Sequence, residues 1–185
     1  MKKLCAVIVV AVLGIVVCGA ENLMKTAGVS YQVFPGDWNK KLQNDKNLGK
    51  FIDPDLDRVS GKRKGLLADG KTEQRGICYN YHWTLKNLRF VTIVVDLGKE
   101  QEISGLKLVA FQNNEAYKPS FFEVAASSDN VSYRDIAKGD QWETQKRYLR
   151  VAQVAAKDTK CRYLRIKIGT AGAWINISEI EVYGK

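Results

Sequence analysis

The chain has 185 residues, 45% hydrophobic and 26% charged, with a formal net charge of +9. That fits one globular domain and leaves no room for a catalytic domain beside an independent binding module. Fifteen glycines and three prolines exclude collagen-like and Pro-rich disordered chains, and 10% aromatic residues argue for a packed core. One histidine and four cysteines leave little material for a zinc site.

The first twenty residues read as an export signal. Lys2 and Lys3 form a short basic start of the bacterial kind, and Ala6 to Val17 are apolar apart from Gly14. Cys18, Gly19 and Ala20 supply the small residues of a cleavage site before Glu21. A competing reading makes Cys18 a lipidated N-terminus, although Val17 stands where such a site takes a smaller residue. The apolar run is short for a membrane span, so no transmembrane segment is expected. Both readings place residues 21–185, taken as one domain, outside the cytoplasm. That mature chain carries 27 basic and 20 acidic residues, a net +7, which attracts acidic glycans, lipid headgroups or other polyanions. Nucleic acid is not an expected partner: no helix-turn-helix or finger pattern is present, and export removes the opportunity.

From Asp37 to Gly76 the chain is polar and aperiodic, with Asp45, Asp53, Asp55 and Asp57 and the basic run Arg58 to Lys64. A stretch of that length is either a surface excursion or a loop held by something, such as a bound ion. Cys78 and Cys161 remain after signal removal. An even pair in an oxidising compartment reads as a disulfide, with two buried thiols as the alternative.

Beyond residue 90 the pattern is that of strands. Val91, Ile93, Val95 and Leu97 alternate with more polar neighbours; so do Leu164, Ile166 and Ile168, and Ile180 and Val182. Leu106 to Phe111, Phe121 to Ala126 and Tyr148 to Val154 are further strands rich in aromatic and β-branched residues. Turns are expected over Gly98 to Gly105, Gln112 to Ser120, Ser127 to Ser132 and Gly169 to Ala173. Short strands with one wet face, and no long amphipathic helix, predict an all-β antiparallel sandwich.

Several landmarks in order carry a family likeness: Leu67-Ala68-Asp69-Gly70-Lys71-Thr72, Val91 to Gly98, Pro119 to Ser127 leading into Ser128-Asp129-Asn130, Cys161 to Ile166, and the closing Glu179-Ile180-Glu181-Val182-Tyr183-Gly184. This order resembles the discoidin domains, also called coagulation-factor type C domains, and the related family 32 carbohydrate-binding modules. The resemblance implies a galactose-binding-like jelly roll with ligands held by loops at one end. It also implies a structural calcium, with ligands from Ala68, Asp69, Lys71 (through its carbonyl), Thr72 and Glu179. Carboxylate and carbonyl oxygens suit a hard cation. The alternative is that Asp69-Gly70 is a turn and Glu179 a solvated strand residue.

A glycan site needs an aromatic face for the apolar side of a pyranose and planar polar groups for its hydroxyls. Gln74 to Lys86 offers Arg75, Tyr81 and His82; Gln112 to Ser120 offers Asn114 and Lys118; Gly169 to Asn176 brings Trp174. Trp174 reads equally as ligand platform or core plug, and His82 also as an ordinary hydrogen-bonded histidine. Lys118 stands where many galactose binders place an arginine, and a point charge lacks the guanidinium's fork. Trp38, Trp83 and Trp142 read as packing or surface residues. No GxSxG, Walker, HExxH or GxGxxG pattern supports catalysis, and Asp55 and Asp57 sit in a charged loop. The expected function is therefore a secreted, monomeric, non-catalytic module binding terminal sugars of galactose type. The alternative is an adhesion domain that binds protein or anionic lipid and polysaccharide, with Leu66 and Leu67 beside the basic run as apolar tips.

Overall fold

The computed structural model describes residues 20–36, 65–72, 77–80 and 89–185. The segment read as an export signal, up to residue 19, the basic run, Trp38, Trp83, Arg75, Tyr81 and His82 lie outside the described residues. Among the described residues nine strands follow in chain order: β1 (Glu21–Asn22), β2 (Ser30–Pro35), β3 (Ile77–Asn80), β4 (Phe90–Phe111), β5 (Pro119–Ser127), β6 (Arg134–Gly139), β7 (Glu143–Lys146), β8 (Leu149–Thr170) and β9 (Trp174–Gly184). Every pairing is antiparallel.

Strands β4 and β8 are each 22 residues long and pair along both halves. Their Phe90–Asp96 and Tyr163–Gly169 halves lie in the order β2-β4-β8-β5-β6. Their Gln101–Phe111 and Leu149–Cys161 halves lie between β9, which carries β1 and β3 on its other edge, and β7. Val91, Ile93 and Val95 from the first half share one buried cluster with Leu106 and Leu108 from the second. The long ribbon therefore folds over itself into a sandwich whose two inner faces make a single core. Leu164, Ile166 and Ile168 complete that core with Ile177, Ile180 and Val182, each burial contributing about 1.5–3 kcal/mol.

The expected turn over Gly98 to Gly105 is instead the corner of this ribbon. The ladder slips between Asp96 and Gln101, then resumes with Gln101 opposite Cys161. Gly98 has φ +79, and a Cβ there would stand 3.1 Å from the carbonyl oxygen of Gly28, so glycine's freedom is needed at the bend. Asp96 fixes the corner by accepting from the Gly98 N–H at 2.8 Å and from Arg162 at 2.9 and 3.1 Å. Trp142 packs edge-on against Phe122 at 5.9 Å, in keeping with a packing role.

Cys78 and Cys161 are not joined. Cys78 pairs with Asn176 near the start of β9, whereas Cys161 pairs with Gln101 at the corner. β9 itself meets Ala110 through Ile177 and Ile103 through Gly184. The two cysteines thus sit near opposite ends of one strand length, on the order of 25 Å apart, far beyond disulfide reach. Cys161 is fully buried in the core, and that burial pushes its thiol up to about 11. For the chain from Glu21, a reducing agent is expected to leave Tm unchanged, and Cys161 to resist alkylation until the protein unfolds. A disulfide would instead show as a loss of about 4–5 kcal/mol on reduction, a Tm drop of roughly 10 °C or more.

Candidate functional site

The loop between β4 and β5 is shaped by its own polar groups. Asn114 caps the 3-10 turn Glu115–Tyr117: its Oδ1 accepts from the Ala116 N–H at 2.9 Å and its carbonyl from the Tyr117 N–H at 3.1 Å. The Lys118 carbonyl then accepts from the Ala171 N–H and the Thr170 hydroxyl, both at 2.9 Å. Thr170 Oγ1 in turn accepts from the Gly172 N–H at 3.0 Å. A Cβ on Gly172 would lie 2.3 Å from the Ala116 carbonyl oxygen. The β8–β9 loop therefore meets the β4–β5 loop through backbone groups and the Thr170 hydroxyl, and only glycine permits the approach at position 172.

This stitching brings Tyr117 and Trp174 together as a stacked pair, with ring centroids 5.8 Å apart and planes 22° from parallel. Trp174 is half-buried rather than a core plug. Lys118 is exposed and pairs with Glu115 at 3.3 Å, and Asn114 is exposed with its side-chain oxygen committed to the cap. So three of the sequence-predicted binding residues, Asn114, Lys118 and Trp174, share one rim. The described chain leaves at Asn80, paired with Trp174, and returns at Arg89, whose carbonyl accepts from the Thr170 N–H at 2.9 Å. Asn80 and Arg89 thus both lie beside this rim, and Tyr81 and His82 fall outside the described residues.

Two features of residues that the sequence offers as loop material are visible only in the structure: the pairing of Tyr117 with Trp174 and the burial of Asn176. Tyr117 was visible only as loop material, with no local pattern naming Trp174 as its partner 57 positions away. Asn176, two residues beyond Trp174 on β9, is 2% exposed with neither amide atom hydrogen-bonded. An orphaned buried amide is costly, and the alternation of Trp174 with Asn176 was the available signal. Asn130-Val131-Ser132 and Asn176-Ile177-Ser178 match the Asn-x-Ser glycosylation sequon, and the sequon at Asn176 is therefore sealed inside the sheet. The one at Asn130 lies in the β5–β6 turn at the far end, with φ 61.

A second constellation lies along β9. The Leu67 carbonyl accepts from the Ile180 N–H at 2.8 Å, and the Leu67 N–H donates to the Tyr31 hydroxyl at 3.1 Å. Leu67 is fully buried and Leu66 partly buried against the core, so this pair is not an apolar tip. Anchored there, the loop sets Gly70, with φ +79, over Glu179: its N–H donates to both carboxylate oxygens at 3.1 and 3.2 Å. Asp69 accepts from the Lys71 N–H at 2.8 Å, so the Asp69-Gly70 turn exists as well. Glu179 is fully buried, not solvated. Burial pushes its carboxyl up to about 7, against the opposing Gly70 hydrogen bond, with Asp69 and Glu181 adding repulsion and Lys25 attraction. Among the described residues no three His, Cys, Asp or Glu side chains converge as a metal cluster. A hard ion here would complete its shell from Thr72, which is half-buried, and from carbonyls.

Residues 58–181 match the F5/8 type C domain family. Among solved structures, the chain is similar to CpGH89CBM32-6 of Clostridium perfringens, with 19% identity, a TM-score of 0.54, and coverage of 89% of this chain and 100% of that one. It is similar to the family 32 carbohydrate-binding module of C. perfringens NanJ, solved in complex with galactose, at 14% identity, TM-score 0.56, and coverage of 89% and 97%. It is also similar to a Ruminococcus gnavus GH29 fucosidase, at 18% identity and TM-score 0.58, where it covers 89% of this chain but only 27% of that one. No curated protein matches the sequence. These likenesses agree with the antiparallel sandwich. No helix among the described residues is long and apolar enough to cross a membrane.

Proposed function

The chain belongs to the F5/8 type C domain family, and from that premise we propose that it is a secreted, non-catalytic module that binds terminal sugars of galactose type through the rim built by the β4–β5 and β8–β9 loops. The observation that carries this reading is the Tyr117–Trp174 stack, a half-buried aromatic pair held in place by backbone contacts at one end of the sandwich. Trp174 presents a flat apolar surface for the apolar side of a pyranose. Arg75, Tyr81 and His82, outside the described residues, are the further ligands this reading takes from the sequence, with Asn114 and Lys118 shaping the rim. The galactose complex of the NanJ module supports the sugar class. Calcium belongs to the same reading: Asp69, Thr72, Glu179 and the carbonyls of Ala68 and Lys71 would hold it, and its charge would neutralise a buried carboxylate that otherwise faces Asp69. The ion has no part in the sugar contact.

A glycan array with the chain from Glu21, run in calcium at moderate salt, tests the proposal. The expected result is a coherent set of glycans ending in galactose or its N-acetylated form, neutral ones included and retained at raised ionic strength. A blank array, or hits confined to sulfated glycans that vanish with added salt, would overturn it in favour of a polyanion binder.

A further inference from the structure

The turn joining β7 to β8 adjoins the sugar rim and carries chemistry the rim does not use. Its Tyr148 carbonyl accepts from the Gln112 N–H at 2.7 Å, at the root of the loop that holds Tyr117. Gln112 also reaches Glu115 through its side chain at 3.2 Å. Tyr148 is 37% exposed, and among the described large hydrophobic residues only Val131 is more so. Phe111 supports its ring at 5.7 Å, and Phe111 rests on a small buried cluster of Val109, Leu149 and Val151. The Arg147 guanidinium lies over the same ring, 5.0 Å from its centroid. Among the described residues none gives Arg147 a carboxylate partner. A guanidinium stacked on an aromatic face keeps its in-plane N–H donors directed outward, in the fork that fits a carboxylate or sulfate. The rim and turn together carry Lys118, Lys146, Arg147 and Arg150 against Glu115 and Glu143, a local excess of positive charge.

Spacing sets what such a group would read. Trp174 opens β9, Phe111 closes β4 and Leu149 opens β8, and these strands are neighbours in the sheet in that order. Two strand spacings separate the Trp174 platform from Arg147, about 10 Å, the reach of a disaccharide. We propose that the Arg147–Tyr148 turn is a second subsite that selects an anionic group, carboxylate or sulfate, on the sugar next to the one stacked at Trp174. This rests on the sugar-binding reading and narrows it: the preferred ligand is an acidic galactoside at least two residues long.

Titration calorimetry with three probes separates the possibilities: lactose, its oxidised relative lactobionate with a carboxylate on the neighbouring unit, and N-acetyllactosamine sulfated on its glucosamine. At low salt at least one acidic probe is expected to bind about threefold to tenfold more tightly than lactose, in the range of a partly exposed charge-assisted pair. The carboxylate and sulfate arms tell which anion is read. Arg147→Gln should erase the preference while leaving lactose affinity unchanged, and Arg147→Lys should restore only part of it. Equal binding of all three probes, or a preference that survives Arg147→Gln, overturns the subsite alone. Absence of binding to every probe overturns the sugar-binding reading itself, and the subsite with it.

Discussion

Replacing Trp174 with alanine is expected to reduce affinity for a galactose-type sugar at least tenfold while leaving the thermal transition nearly in place. The indole is half-buried and stacked on Tyr117 alone among the described aromatic rings, so its removal opens no large core cavity. A sugar held by one stacked face and a few hydrogen bonds binds weakly, and losing that face costs about 1–2 kcal/mol or more. Tyr117→Ala should weaken binding less, because Tyr117 supports the indole. Gly172→Ala gives the sharper test. It removes no group that a ligand could touch, yet its Cβ would press to 2.3 Å from the Ala116 carbonyl oxygen and force the two loops apart. If the stack is the platform, this variant loses binding as Trp174→Ala does. Full binding by Trp174→Ala, measured by calorimetry on a folded sample, would show that the aromatic pair is only packing.

The elements legible in the sequence were those with strict period-two alternation. Val91 to Leu97, Leu164 to Ile168 and Ile180 to Val182 bury the predicted faces in the sandwich core, although Thr92 and Val94 on the other face of β4 are covered as well. What failed was reasoning from single residues. Gly98 and Gly105 read as turn glycines, yet β4 runs through both, because a bulged corner keeps its ladder with β8 on either side. The two cysteines read as a disulfide from their number and compartment, but parity says nothing of register, and register holds them apart. At the candidate site, Trp174, Lys118 and Asn114 stand out in the sequence because loops of polar and aromatic residues are conspicuous, and the structure places the three on one rim. The partner of each does not stand out. Asn114 and Lys118 turned out to be tied to their own loop, a local contact that residue type alone leaves open.

Glu179 shows the same limit with greater consequence. Alternation places it on the outer face of β9, where a carboxylate is ordinarily solvated, and nothing in the strand itself reveals that Gly70 and Asp69 cover it from more than a hundred positions earlier. A fully buried carboxylate needs a compensating charge. Two cations are available in principle: the ammonium of Lys25, which lies 3.6 Å from where a Gly70 Cβ would stand, or a bound calcium. If calcium is that charge, saturating it is expected to raise Tm by about 5–10 °C over an EDTA-treated sample. That range follows from about 2.7 kcal/mol at a hundredfold excess over Kd and roughly 2–4 °C per kcal/mol for a domain of this size. Glu179→Gln removes the buried charge while keeping the shape, so it should abolish the calcium response and make the stability of the EDTA-treated sample its baseline. Lys25→Ala should enlarge the response, because the competing cation is gone. Identical transitions in calcium and EDTA would defeat the ion, and would leave Lys25 as the cation facing Glu179. In that case Lys25→Ala alone would destabilise the wild-type chain, and Glu179→Gln would relieve that loss.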